Sequence, residues 1–465
     1  MTMLGRISSL TLLTCLHACG QTKSTPVDPG PRGGPPGAGV PLTGLTADES
    51  AFFLDGQARF AEIEVVAKGS NNGLGPRFNS NQCFSCHSEP SIGGSSPAKN
   101  PLPGVAVLNG AKNAVPWFIV PNGPIREARF KKSNGNADGE VHDLFVITGR
   151  TDAPGCNIAQ FDFLPAGSPL TGQGGNTNII FRIPTPVFGT GLIEAIPDSA
   201  ILANMHSNSS QKSTLGISGH ANSHLSGNVN LSANDGTITR FGWKAQNKSL
   251  LMFSAEAYNV EMGISNQLFP QERDATPGCL FTATPNDTLN FTPPPTNAGS
   301  SRTAVISDIE AFANFMRMLA PPTPAPSTPG TEKGRAAFAR IGCVHCHIPS
   351  FTTGAMIASG STTNPSVALS NQPVNLFSDL LVHHMGKGLA DGITQGSAGP
   401  DEFRTAPLWG IGQRIFFLHD GRTSNLVDAI RAHKSAGSEA NKVIENFDKL
   451  SAQEQQSIID FLRSL

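Results

Sequence analysis

Apolar residues recur at helical spacing in a few well-separated stretches of the chain. Phe312-Ala-Asn-Phe-Met-Arg-Met-Leu319 and Ile458-Ile-Asp-Phe-Leu-Arg-Ser-Leu465 each predict a helix with one apolar face. Leu426, Ala429, Ile430 and His433 fall at i, i+3, i+4 and i+7, behind Ser424 or Asn425 as a cap. A further helix is expected to start near Thr46, where Asp48 and Glu49 suit a first turn. Period two marks another region: Asn228-Val-Asn-Leu-Ser and Thr237-Ile-Thr-Arg-Phe flank the turn Asn234-Asp-Gly, a hairpin signal. One apolar run, Ile7 to Leu16, follows a lone Arg6 and is too short to span a bilayer.

Three short patterns occur twice, in the same order. Gly56-Gln-Ala-Arg-Phe60 answers Gly334-Arg-Ala-Ala-Phe338, and Pro186-Val-Phe-Gly-Thr-Gly191 answers Pro407-Leu-Trp-Gly-Ile-Gly412. The two closing helices above are the third match. Phe60 and Phe338 are expected to pack on the apolar faces of those helices. Between the halves lies Ala320-Pro-Pro-Thr-Pro-Ala-Pro-Ser-Thr-Pro-Gly330, a linker by composition over 321–329. The domains read from this are 46–320 and 330–465, the first being about twice the length of the second. The excess falls near 205–300, a Ser-, Asn-, Thr- and Gly-rich insertion containing the hairpin. The expected class is therefore mainly α, as two similar domains with a loop-rich, partly β insertion in the first.

Composition narrows the partners and the address. Of 465 residues, 33 are basic and 35 acidic, which argues against a nucleic-acid or strongly cationic partner. The opening residues 1–18 read as a signal peptide ending Leu16-His17-Ala18-Cys19-Gly20, a lipoprotein-type site that would acylate Cys19. Plain secretion competes, because His17 is unusual there. Either way the protein is expected to be exported to the periplasmic side, touching a membrane only through that lipid. Proline and glycine crowd 19–45, which reads as a disordered tether. Cys156 and Cys279 fit a disulfide in an oxidising compartment, with two buried thiols as the alternative.

The remaining cysteines carry chemistry. Cys83-Phe-Ser-Cys86-His87 and Cys343-Val-His-Cys346-His347 are C-x-x-C-H, the attachment sequence of c-type haem. Two thiols take the porphyrin vinyl groups and the histidine becomes the proximal iron ligand. A four-cysteine zinc site or local disulfides compete, but leave both histidines unexplained. The distal ligands decide whether each iron is a carrier or an open site. His433, on the inward helix face, competes with Met385 of the loop His383-His-Met-Gly-Lys-Gly for the second iron. For the first, His142 and His206 are the weaker candidates, so an open position is expected there. Glu194, a carboxylate inside the apolar run Gly191-Leu-Ile-Glu-Ala-Ile, is the candidate acid–base group, unless it is merely ion-paired. Of the three tryptophans, Trp409 is expected beside the second haem.

Four segments together resemble a known family: Phe181-Arg-Ile-Pro-Thr-Pro-Val-Phe-Gly-Thr-Gly-Leu-Ile-Glu-Ala-Ile-Pro-Asp198, Arg240-Phe-Gly-Trp-Lys-Ala245, Phe403-Arg-Thr-Ala-Pro-Leu-Trp-Gly-Ile-Gly412 and Leu418-His-Asp-Gly421. They are similar to the di-haem oxidoreductases, peroxidase-like proteins also labelled thiol oxidoreductases. The second half also resembles the bacterial di-haem cytochrome c peroxidases. The resemblance implies two cytochrome c-like domains, a distal ligand at the place of His433, and reduction of a small oxidant at the first haem. Electrons would come from a small redox donor of cytochrome or cupredoxin type and pass through the second haem. One departure stands out: those peroxidases carry a distal histidine soon after the first motif, and none lies between His87 and His142 here. A non-catalytic electron carrier is the alternative.

Overall fold

The computed structural model describes residues 25–69, 71–108, 113–164, 178–223, 238–288, 306–357 and 365–465. Cys19 and most of the expected hairpin lie outside them. Twelve α-helices run through the described residues: α1 (Ala47–Phe60), α2 (Cys83–Cys86), α3 (Leu102–Val107), α4 (Thr190–Glu194), α5 (Asp198–His206), α6 (Ser209–Leu215), α7 (Leu250–Met262), α8 (Asp308–Met318), α9 (Pro329–Ile341), α10 (Leu426–Arg431), α11 (Asn441–Lys449) and α12 (Ala452–Ser464). None is long and apolar enough to cross a membrane.

Two crossed helix pairs organise the chain, α1 with α8 and α9 with α12. Local sequence starts them. Thr46 Oγ1 accepts from Glu49 N (3.2 Å), and the Glu49 carboxylate accepts from Thr46 N (2.9 Å), a capping box that Ser451 and Glu454 repeat before α12. The repeated glycines permit the crossings. A Cβ on Gly56 would collide with the Ala311 carbonyl, and one on Gly334 with the Ser457 carbonyl. Four residues later, on the same helix face, Phe60 meets Phe312 and Phe315, while Phe338 meets Phe461. The second repeat closes the same joint, since Gly191 and Gly412 lie against the carbonyls of Arg317 and Arg463 at the far ends of α8 and α12.

The chain is mixed rather than mainly helical, 30% helix and 12% strand, with small sheets only. Its 49 glycines and 36 prolines keep most elements short. The largest sheet is antiparallel, with Glu127–Phe130 between Val141–His142 and Ile179–Arg182; Glu127 stands opposite Arg182 and Arg129 opposite Ile180. The stretch expected as an insertion holds α7, whose apolar residues lie all round it. That pattern carries no amphipathic signal, so the segment reads as loop from composition. Cys156 and Cys279 form the disulfide.

Residues 25–45 are not a free tether. Asp28 pairs with Arg463 (2.7 Å) and accepts from Leu426 N (2.6 Å), Arg32 N donates to Gly412 O, and Leu42 N donates to Met318 O. The segment thus runs across both helix pairs. Polar contacts hold what composition alone leaves loose. The linker is likewise laid down, with Thr323 N donating to Gly37 O and Ala325 N to Ser464 O. Nor are the two halves separate cores: Phe351, Leu369, Val374, Leu376, Leu380 and Leu381 pack into the core built around α1, α7 and α8.

Candidate functional site

Each C-x-x-C-H opens into a large apolar cleft. In the first, α2 carries Cys83 and Cys86, and His87 follows it on the wall below Phe60, with ring centroids 5.9 Å apart. His87 Nδ1 donates to Gly94 O (3.0 Å), which assigns its proton and leaves the Nε2 lone pair. In the second, His347 lies 6.2 Å from Phe338, and its Nδ1 donates to Phe377 O (2.9 Å). Burial lowers both imidazoles, His347 to about 4, so both stay neutral as a metal ligand must.

The second cleft contains a further histidine held the same way. Asn425 Oδ1 caps α10 through Val427 N (2.9 Å) and Asp428 N (3.2 Å). His433 follows that helix into the cleft, Nδ1 donating to Ala429 O (2.8 Å), and burial lowers its pKa too. Met385 lines the same cleft. His383, also there, is clamped between Asp379 (3.0 Å) and Glu439 (2.8 Å) and stays charged, its pKa held well above the ordinary value because the neighbouring acidic groups outweigh burial.

Among the described residues that line the first cleft, His87 is the one histidine. His142 stacks on Phe130 (3.8 Å) and bonds Asp138 (2.9 Å), and His206 ends α5; neither lines the cleft. Glu194 is not there either. Its carboxylate pairs with Arg317 (2.7 Å) and accepts from Leu250 N (2.7 Å), so it ties α4 to α8 and caps α7. The apolar run flagged a paired carboxylate, not a reactive one.

Three other carboxylates line this cleft instead: Glu127 from the sheet, and Glu256 and Glu261 from α7. Burial, and then the charge of Glu127, pushes Glu261 up to about 8; it accepts from Asn79 Nδ2 (2.7 Å) and shares a hydrogen bond with Glu127. Burial also works against ionised Glu127, but Arg129 (2.6 Å) and Arg182 outweigh it and hold its pKa below the ordinary value. The pair therefore carries one proton near neutral pH. Met262 and Met316 are the thioethers on the wall.

Trp243 lines both clefts, its Nε1 donating to Ile183 O (2.9 Å). Trp409 lies outside them, in a smaller pocket that Trp243 shares. Sequence reading misses Glu127, Glu256, Glu261 and Trp243. Only Arg240-Phe-Gly-Trp243 pointed at one of them.

The residues present fit a haem in each cleft. Each cleft is walled mainly by apolar and aromatic side chains around its C-x-x-C-H, as a porphyrin face requires. Arg182 Nε and Arg414 Nη2, on cleft-lining side chains, are buried with no hydrogen-bond partner among the described residues. Such cations match the carboxylates of a porphyrin. The four-cysteine zinc alternative fails, because the two cysteine pairs lie in different clefts. Among the described residues, one group has metal-binding spacing, Cys346 with Asp379 and His383. A thiol capped by a haem vinyl group would be lost to it.

Two such clefts in one chain define a di-haem redox protein. Residues 173–465 match the family described as "Di-haem oxidoreductase, putative peroxidase", and the chain belongs to that family. No curated protein matches it. Among solved structures it is similar to the hydrazine synthase of Kuenenia stuttgartiensis, 22% identical over 34% of this chain and 55% of that one, TM-score 0.22. It is also similar to a MauG-like protein associated with microbial copper homeostasis, 19% identical over 34% and 52%, TM-score 0.22. The diheme peroxidase BthA from Burkholderia thailandensis E264 is 15% identical over 49% and 65%, TM-score 0.27. The chain thus spans between half and two thirds of those chains.

Proposed function

We propose that this protein is a peroxidase with two covalent c-type haems, in cytochrome c-like units 46–320 and 330–465, that reduces a small peroxide in the first cleft. The asymmetry of the clefts carries this reading. The second offers two neutral histidines, His347 and His433, which suits a six-coordinate electron carrier. Among the described residues the first offers His87 as its one histidine, with a carboxylate pair that shares one proton. Haem iron with an open position supplies peroxide binding and one-electron redox chemistry. Around it, ionised Glu127 can take the proton of a bound peroxide and protonated Glu261 can give one to the departing oxygen. Arg129 and Arg182 keep Glu127 ionised for that work. Trp243 offers an aromatic path from the second cleft to the first. Electrons would arrive from a small cytochrome or cupredoxin, with the protein exported and held by a lipid on Cys19.

The experiment has two parts. Denaturing mass spectrometry is expected to find two haem increments per chain; fewer would remove the covalent assignment. Cyanide or hydrogen peroxide, added to oxidised and half-reduced protein, is expected to shift the bands of one haem. The competing electron-carrier reading draws on Met262 and Met316, either of which could close the first iron. Two low-spin haems that ignore both ligands in every redox state would establish it instead.

A further inference from the structure

Tyr258 is the one tyrosine in the 465 residues. Its ring lines the first cleft and is 3% exposed, packed edge-on to Phe312 at 5.0 Å. Its hydroxyl bonds groups outside the cleft lining, Asp308 Oδ2 at 3.1 Å and Glu64 Oε1 at 3.2 Å. Asp308, the first residue of α8, is paired with Arg59, which also reaches Asp55 (3.4 Å) where these side chains are part-exposed. Burial raises Glu64 to about 8, so it is neutral and can donate to the phenolic oxygen, leaving Asp308 as the acceptor of the phenolic proton.

We propose that Tyr258 is a redox-active residue that gives one electron to the first cleft and its proton to Asp308, holding an oxidising equivalent as a neutral tyrosyl radical. The inference rests on the peroxidase reading. A phenol that loses an electron becomes a strong acid, so oxidation is accessible only where a base already holds the hydroxyl. Burial, and then the negative charge of Asp308, closes the route through a free phenolate. Loss of electron and proton together leaves the phenol site neutral. Hydrogen peroxide takes two electrons, one from Tyr258 and one from the cofactor, and two protons, drawn from solvent through the Glu127–Glu261 pair, to give two waters. The O–H bond of Tyr258 breaks and an O–H bond on Asp308 forms. Two electrons from the external donor, by way of the second cleft, then restore the cofactor and, with the proton returned from Asp308, the phenol.

A single tyrosine makes the test unambiguous. Holo-protein produced with ring-deuterated tyrosine is mixed with one equivalent of hydrogen peroxide, frozen, and read by EPR beside unlabelled protein. An organic radical whose hyperfine pattern narrows on deuteration is expected. Tyr258→Phe is expected to abolish that signal while its haem bands still respond to peroxide, and Asp308→Asn to lower its yield several-fold. A radical that deuteration leaves unchanged, or that survives in Tyr258→Phe, overturns the inference. Haem bands that respond with no radical also overturn it and leave the peroxidase reading standing. Haem bands that do not respond at all remove that reading and this inference with it.

Discussion

Glu261 shows how much the surroundings of one side chain decide. On an exposed helix face it would be an ordinary acid, but buried beside ionised Glu127 it holds its proton to about pH 8. As proton donor, Glu261 is competent below that pH and loses its proton above it. Peroxide turnover is therefore expected to fall as pH rises through about 8, and Glu261→Gln to cut it by roughly 10²–10⁴ and remove that alkaline limb. The same shift bears on stability. The folded pKa lies above the unfolded one, so the stabilisation is present in acid and is lost as pH rises toward 8. Thermal midpoints taken from pH 5 to 8 are expected to fall less in Glu261→Gln than in the native chain. At the second cleft, His433→Ala is expected to convert one low-spin haem to high spin. An unchanged spectrum, with Met385→Ala giving that conversion, would assign the ligand to the methionine.

At the scale of elements, the internal repeat has a steric meaning. Gly56 and Gly334 are the contact points of the two helix crossings, and the phenylalanines four residues on roof His87 and His347. A methyl group at either glycine pushes against a backbone carbonyl, which cannot rotate away. Gly56→Ala and Gly334→Ala are each expected to cost about 1–3 kcal/mol by overpacking, measured by denaturant unfolding of the holo-protein. Each is also expected to loosen the haem of its own cleft only, visible as a spectral change at one haem. These helices were legible because capping residues and apolar faces are local signals. α7 was not: its apolar residues lie all round it, and Ser-, Asn- and Gly-rich sequence surrounds it.

Across the whole molecule, one buried carboxylate joins the halves. Asp391 meets Arg182 at 2.7 Å and Lys244 at 3.2 Å, with all three side chains almost wholly enclosed. Burial, then Asp391, acts on Lys244, whose pKa falls to about 8 because burial wins. Asp391→Asn would remove the ion-pair partner of both Lys244 and Arg182 from a buried site. A loss of about 3–5 kcal/mol is expected, read as a lower urea midpoint. Asp28 on Arg463 is a lesser version of the same joint, and it turns an expected tether into part of the body.

The sequence by itself determined what depends on neighbours in the chain: the two C-x-x-C-H motifs, the helix starts, the repeated glycine–phenylalanine pairs and the leftover cysteine pair. It also pointed His433 inward, since a helical period fixes which face a residue shares. Tertiary structure alone decided the chemistry of the first cleft. Glu127 comes from a strand, Glu261 from a helix more than a hundred residues on, and their shared proton exists only because burial and Arg129 act on both at once. The same holds for Glu194, an isolated acid in the sequence until Arg317 and Leu250 N, both distant in the chain, claim its two oxygens. Desolvation and pairing are collective properties, and no local pattern encodes them.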